Sequence, residues 1–315
     1  MNGKISRLIL HILFFAGLAF LFVGGPGNNA SRSFLDLWNL GHPLLFILFV
    51  FILYSDWKDF GEKSRLKQWM VAMFLGAALG LATEVVQSMV GRQFDHLDII
   101  RDLAGCATGL LILSGSDRKM LKTEKLARAS GISIITIALM VPLFFSLSDE
   151  LIARKQFPLL SGFETPLEVD RWRADGPISI SDNVFRGGKA SLMAGFTTAR
   201  YSRVTMRYSL GEWEGYDYLG FSIYNPDSSG LKLICRIHDR EHEKRGNEYT
   251  DRFHRTLMLE NGWNDLSIPV EDIRTAPSER EMNLNELVQI TFFSVSLPGP
   301  RTVYIDNVML HRTRQ

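Results

Sequence analysis

Hydrophobic positions divide the chain into two kinds of pattern. Up to about residue 150 they form long, nearly unbroken runs; beyond it they come in short stretches that alternate with polar residues. A membrane-crossing helix needs about 20 apolar residues. The candidates are roughly Ile5 to Gly24, Leu35 to Tyr54, Trp69 to Val90, Leu97 to Leu113 and Gly131 to Leu147. The fourth run is the weakest, being short and carrying Asp98, Arg101 and Asp102. From about Phe163 the period changes to two, with Leu219, Phe221 and Ile223 on one face of Tyr218–Tyr224. Leu231, Leu233, Cys235 and Ile237 form another apolar face, opposite Lys232, Arg236 and His238. Further strands are expected over Ala190–Phe196, Arg203–Leu210, His254–Leu259, Asn264–Ile268, Val288–Val295 and Thr302–Leu310, with turns at Asn225-Pro226-Asp227 and Asn261-Gly262. The fold class that follows is an α-helical multi-span membrane domain over residues 1–150 and an all-β jelly-roll sandwich over 151–315.

Polar residues inside the apolar half are the most informative. Gly76, Gly80, Glu84 and Gln87 fall on one stripe of a helix, and so do Asp98, Asp102, Gly105 and Gly109. An ionisable group in a span needs a partner or water, so each carboxylate marks a candidate site. Glycines on the same stripe let two helices approach closely and bring those carboxylates together. Basic residues then orient the spans. Lys4 and Arg7, the group Lys58 to Lys67, and the group Arg118 to Arg128 lie in alternate segments, whereas the intervening loops hold only Arg32 and Arg92. This bias predicts a cytoplasmic N-terminus and an extracytoplasmic β domain. His42, Glu84, Gln87, Arg92, Asp95, Asp98 and Asp102 are then expected at one depth near the outer surface. The first apolar run has the basic start of a signal peptide, but Gly24–Asn29 offers no clear cleavage site, so it is read as a retained span.

Composition excludes more than it assigns. A net charge of +1 gives no reason to expect nucleic acid as a partner. The two cysteines, Cys106 and Cys235, form no metal or redox motif, and no nucleotide loop, nucleophile elbow or zinc motif is present. The charged stretch Asp239–Glu248 reads as a solvated loop between strands.

The spacing of the polar residues resembles the VanZ-like membrane family. That family joins a His near the start of one span to E-x-x-Q, a short turn and an R-x-x-S/D-x-x-D series ending in Gly. His42, Glu84, Gln87, Arg92, Asp95, Asp98 and Gly105 stand in that register over roughly residues 5–115. Asp102 departs from it, standing where the family usually has Asn. The resemblance implies a bacterial envelope protein in the plasma membrane, with a polar site and no settled reaction.

In the β half, Phe163-Glu164 and Trp172, Gly188–Leu192, Tyr218–Phe221, Gly262-Trp263 and Tyr304–Val308 follow the order of galactose-binding-like jelly rolls among carbohydrate-binding modules. That resemblance implies glycan binding on a strand face, for which Tyr218, Arg236, His238, Tyr249, Arg252 and His254 are the candidates. It also implies a structural calcium, for which Glu164 and Asp306 could supply oxygens. Two functions of different kinds follow. One is a non-enzymatic envelope protein that holds a glycan or an envelope protein. The other is a membrane enzyme acting on a lipid-linked or headgroup substrate, with His42 or Glu84 as base, Arg92 on phosphate and the aspartates holding a metal or tuning acidity.

Overall fold

The computed structural model describes residues 3–22, 25, 30–89, 94–113, 121–208 and 210–313. Arg92, Arg118, Lys119 and most of the Gly24–Asn29 segment lie outside them. The chain divides into two compact units, Met1–Phe144 and Phe145–Gln315.

The first unit is helical: α1 (Gly3–Phe22), α2 (Arg32–Asn39), α3 (Gly41–Asp56), α4 (Arg65–Met89), α5 (His96–Leu113) and the first part of α6 (Lys122–Gln156). Over the described residues each expected apolar run is helical, the second divided at Leu40 between α2 and α3. Among the described residues, Lys4–Phe22, Arg32–Asp56, Arg65–Met89 and Lys122–Gln156 are long and apolar enough to cross a membrane. The α5 helix does not reach that standard, because Asp98, Arg101 and Asp102 dilute it over only 18 residues. Instead it packs against both α3 and α4. Its fit depends on glycine. A Cβ on Gly105 would collide with the Pro43 carbonyl and lie 2.9 Å from Phe46 Cβ, and one on Gly80 of α4 would sit 2.6 Å from Asp102 Oδ2. Glycine therefore allows the close approach expected from the stripes. The expected faces are the buried ones: Gly76, Gly80, Glu84 and Gln87 on α4, and Asp98, Asp102, Gly105 and Gly109 on α5.

The second unit is an antiparallel β-sandwich. Its strands are β1 (Leu159–Ser161), β2 (Trp172–Ala174), β3 (Ile178–Ser181), β4 (Ser191–Phe196), β5 (Tyr201–Met206), β6 (Tyr218–Asn225), β7 (Leu231–Asp239), β8 (Phe253–Leu259), β9 (Gly262–Pro269), β10 (Leu287–Val295) and β11 (Arg301–His311). One sheet runs β3-β4-β11-β6-β9, with β1 also on β11; the other runs β2-β5-β10-β7-β8. Alternating residues of both sheets meet in one core, where Phe221 of β6 lies 4.9 Å from Phe292 of β10 between ring centroids. Two short helices, α7 (Arg240–Lys244) and α8 (Val270–Arg274), interrupt the strands. The last turns of α6 join this unit through a fully buried ion pair. Arg171 donates from Nε and Nη2 to Asp149, and from Nη1 to the Leu160 carbonyl.

Candidate functional sites

In the helical unit, His42 sits one residue into α3, with the start of α5 beside it. Its Nδ1 lies 3.0 Å from Asp102 Oδ1, and its Nε2 lies 3.4 Å from Asp98 Oδ2. Because both ring nitrogens face carboxylate oxygens, either both donate protons or one carboxyl carries the proton and donates back. Arg101, one helical turn from Asp98, donates to it and also reaches Asp95 at 3.4 Å. Glu84 of α4 closes the cluster by accepting the Asp95 backbone N–H at 2.8 Å. His42, Glu84, Asp98 and Asp102 are all buried. Glu84 Oε1 and Asp102 Oδ2 have no hydrogen-bond partner among the described residues.

One expectation changes here. Gln87 does not join the cluster: its amide donates to the Leu21 carbonyl at 3.1 Å, tying α4 to the end of α1. Arg92 lies outside the described residues; among the described ones Arg101 brings a positive charge to the cluster. Arg101 was legible only as a blemish in a weak span; its spacing of three from Asp98 was the signal. Chemically, an imidazole held by a carboxylate on Nδ1 is the oriented half of a general base. Here Nε2 faces Asp98 rather than open space, so neither ring nitrogen is left to a substrate in this arrangement.

In the β unit the candidate ligand residues separate. Tyr218 belongs to β6, where it pairs with Pro269 and His311 in the first sheet. Arg236, His238 and His254 belong to β7 and β8 of the second sheet, with Arg236 directly opposite His254. Tyr218 therefore does not share their surface. Tyr249 and Arg252 do, since Tyr249 Oη lies 2.5 Å from His254 Nε2 and Arg252 stacks 5.1 Å above the Tyr249 ring. His238 is buried rather than presented.

The stretch beginning at Asp239 is not a solvated loop. Asp239 caps α7 by accepting the His242 N–H, and Arg280 grips both Asp239 and Asp251 with bonds of 2.6–2.8 Å. Burial pushes the Asp239 carboxyl up. The Arg280 bonds and two backbone N–H groups outweigh that and hold it below the usual carboxylate range. Arg280 lies 41 residues beyond Asp239, so local pattern could not reveal the pairing.

Burial, followed by the charges of Arg236, His242 and Arg252, pushes His238 down to about 3; burial also lowers His242. The His238 ring folds neutral, while in the unfolded chain it gains a proton below about pH 6.5. The unfolded state thus binds more protons between those values, and stability must rise with pH across that window. We expect the β unit to lose about 1.4 kcal/mol per pH unit through His238 as pH falls below 6. Amide exchange at pH 4.5–7 would measure the slope, and His238→Asn should flatten it.

Glu164 and Asp306 converge on one loop. Glu164 Oε1 accepts the Lys189 N–H, and Asp306 accepts those of Arg186, Gly187 and Asn307. Among the described residues no group of three or more His, Cys, Asp or Glu is placed to hold a metal ion.

No family model matches the chain, and no curated protein does. Solved structures resemble the β unit. The family 11 carbohydrate-binding module from Clostridium thermocellum, solved with a mixed-linked tetrasaccharide, is 16% identical; the match covers 50% of this chain and 96% of that one, with a TM-score of 0.37. A family 28 module specific for non-crystalline cellulose is also 16% identical over 50% of this chain and 95% of that one, TM-score 0.35. An exo-beta-agarase is 14% identical over 50% of this chain but only 25% of that one, TM-score 0.40. At these scores the likeness carries no argument about ligand, and the sandwich assignment stands on the sheet geometry above.

Proposed function

We propose that this chain is a bacterial envelope membrane protein whose helical unit spans the plasma membrane and whose β unit binds a glycan outside it. The observation that carries the reading is the outer face of the β2-β5-β10-β7-β8 sheet. It holds a groove of about 450 Å³, lined by Arg173, Arg203, Thr205, Arg207, Arg236 and Gln289. Such a surface offers hydrogen-bond donors and acceptors at strand spacing, which suits a hydroxyl-rich chain. In this reading α5 also crosses, between α4 and α6, making five crossings, and the alternating basic segments then support a cytoplasmic N-terminus and an extracytoplasmic β unit. The spacing of His42, Glu84, Asp95 and Asp98 supports the VanZ-like reading of residues 5–115. In this reading the polar cluster serves to lock α3, α4 and α5 together, because His42 has no ring nitrogen turned to a substrate.

The full-length protein in nanodiscs, applied to a polysaccharide array, should retain at least one envelope polymer or glycan; an empty array would sink the glycan reading. Running the array in calcium and in EDTA tests calcium at Glu164 and Asp306 as well. A reporter fused after residue 200 should be active only outside the cytoplasm.

A second reading has one observation in its favour. The Asp98 contact to His42 is the longer of the two, at 3.4 Å. A lipid-linked substrate that displaced Asp98 would meet an imidazole already oriented by Asp102. If envelope lipids and wall precursors match wild type in a His42→Gln strain that still accumulates the protein, the enzymatic reading fails.

A further inference from the structure

The groove on the second sheet has a charge that a neutral sugar does not require. Arg173 on β2, Arg203 on β5, Arg207 just after it, and Arg236 on β7 all line it, and Arg252 stands at the start of β8 beside it. The strand register sets these positions in rows. Arg173 lies opposite Thr205, Thr205 opposite Thr291, Thr291 opposite Arg236, and Arg236 opposite His254. From Arg173 to Arg236 is three inter-strand steps, about 14 Å at ~4.8 Å each. Asp175 forms a two-point pair with Arg203, and Glu243 stands 3.8 Å from His238. Nε of Arg236 and Nε of Arg252 are buried without a hydrogen-bond partner among the described residues. Burial, then the charges of Arg252 and Arg203, pushes the Arg236 guanidinium down to about 10. A half-buried cation among like charges costs the fold stability, and a bound anion would relieve that cost.

We propose that this face binds an anionic polysaccharide, a chain that presents carboxylate, sulfate or phosphate groups repeatedly along its length. The proposal rests on the glycan-binding reading and specifies its charge class. Guanidinium groups bind all three oxyanions through paired N–H donors. Their spread over four strands matches a polymer better than a single small anion. Between them, Thr205, hydrogen-bonded to the buried Thr291, brings a hydroxyl to the groove, and Gln289 adds an amide. In the adjoining row, Tyr201 packs edge-on to Phe293 at 6.3 Å and offers an apolar ledge for a sugar ring.

The test titrates the full-length protein in zwitterionic nanodiscs with polygalacturonate, dextran sulfate, a polyglycerol phosphate and uncharged dextran. At least one polyanion should bind, weakening as salt rises, and uncharged dextran should not. The polyanion bound most tightly identifies the oxyanion. Arg236→Met and Arg252→Met should each weaken that binding about tenfold or more. Arg186→Met, which removes an equal charge from a pair with Asp265 in the other sheet, should leave it unchanged. Arg236→Met should also melt no lower than wild type, an outcome a merely structural arginine would not give. Equal loss in the Arg186 variant would overturn the groove as the site. Uncharged dextran bound as tightly as any polyanion would overturn the charge class while leaving glycan binding intact. No binding to any of the four, with an empty array as well, would overturn both.

Discussion

Asp149→Ala is expected to destabilise the β unit by about 3–5 kcal/mol, because it removes the closest counter-charge of the buried Arg171 guanidinium and leaves it only the longer contact to Glu168. Asp149 and Arg171 are both fully enclosed. Arg171 spends three nitrogens on the pair and on the Leu160 carbonyl, and its Nη1 lies 3.5 Å from Glu168. Glu168 in turn accepts the backbone N–H groups of Gly162 and Phe163, where the chain turns through a positive φ at Phe163. Losing Asp149 therefore loosens the end of α6, the start of the sandwich and this turn together. A domain of ordinary stability has 5–15 kcal/mol in total, so the variant should melt about 10 °C lower and accumulate poorly. Asp149→Leu with Arg171→Met should recover most of the loss, since well-packed apolar groups can replace a buried ion pair at little cost. Unfolding of the β unit, followed by amide exchange, measures both. A single variant as stable as wild type would show that Arg171 finds another acceptor.

The long elements were legible because one physical signal dominated each. Unbroken apolar runs became helices, and the strands from β4 onward carried the period-two pattern of a half-buried surface. The strands β1, β2 and β3 escaped because three or four residues are too few to show a period. The α5 helix was readable as a weak span for the reason that makes it special: its carboxylates face neighbours rather than lipid. What sequence could not show were partnerships across distance. Arg280 with Asp239, Arg171 with Asp149, and the separation of Tyr218 from Arg236 into different sheets depend on topology. His238 sits at a polar position by alternation, yet His242 of α7 packs against its ring at 4.7 Å, so alternation placed its side but not its burial.

Asp102→Ala should be the most damaging single change in the helical unit, costing about 3 kcal/mol or more, whereas Asp102→Asn should be tolerated. The alanine removes the acceptor 3.0 Å from His42 Nδ1 and leaves a buried imidazole facing Asp98 alone. Asparagine keeps an acceptor oxygen at the same reach and removes one negative charge from a cluster that sets Glu84, Asp95, Asp98 and Asp102 against Arg101 and His42. Gly80→Ala provides an independent check from the opposite helix. Its methyl would sit 2.6 Å from Asp102 Oδ2, so either α4 retreats or the carboxylate leaves His42, and the loss should approach that of Asp102→Ala. Combining Gly80→Ala with Asp102→Ala should then cost less than the sum, because the second change removes the atom that the first one strikes. Thermal unfolding in nanodiscs would show it. Strict additivity would mean that the two residues act separately, and the polar cluster would lose its role as the lock between α3, α4 and α5.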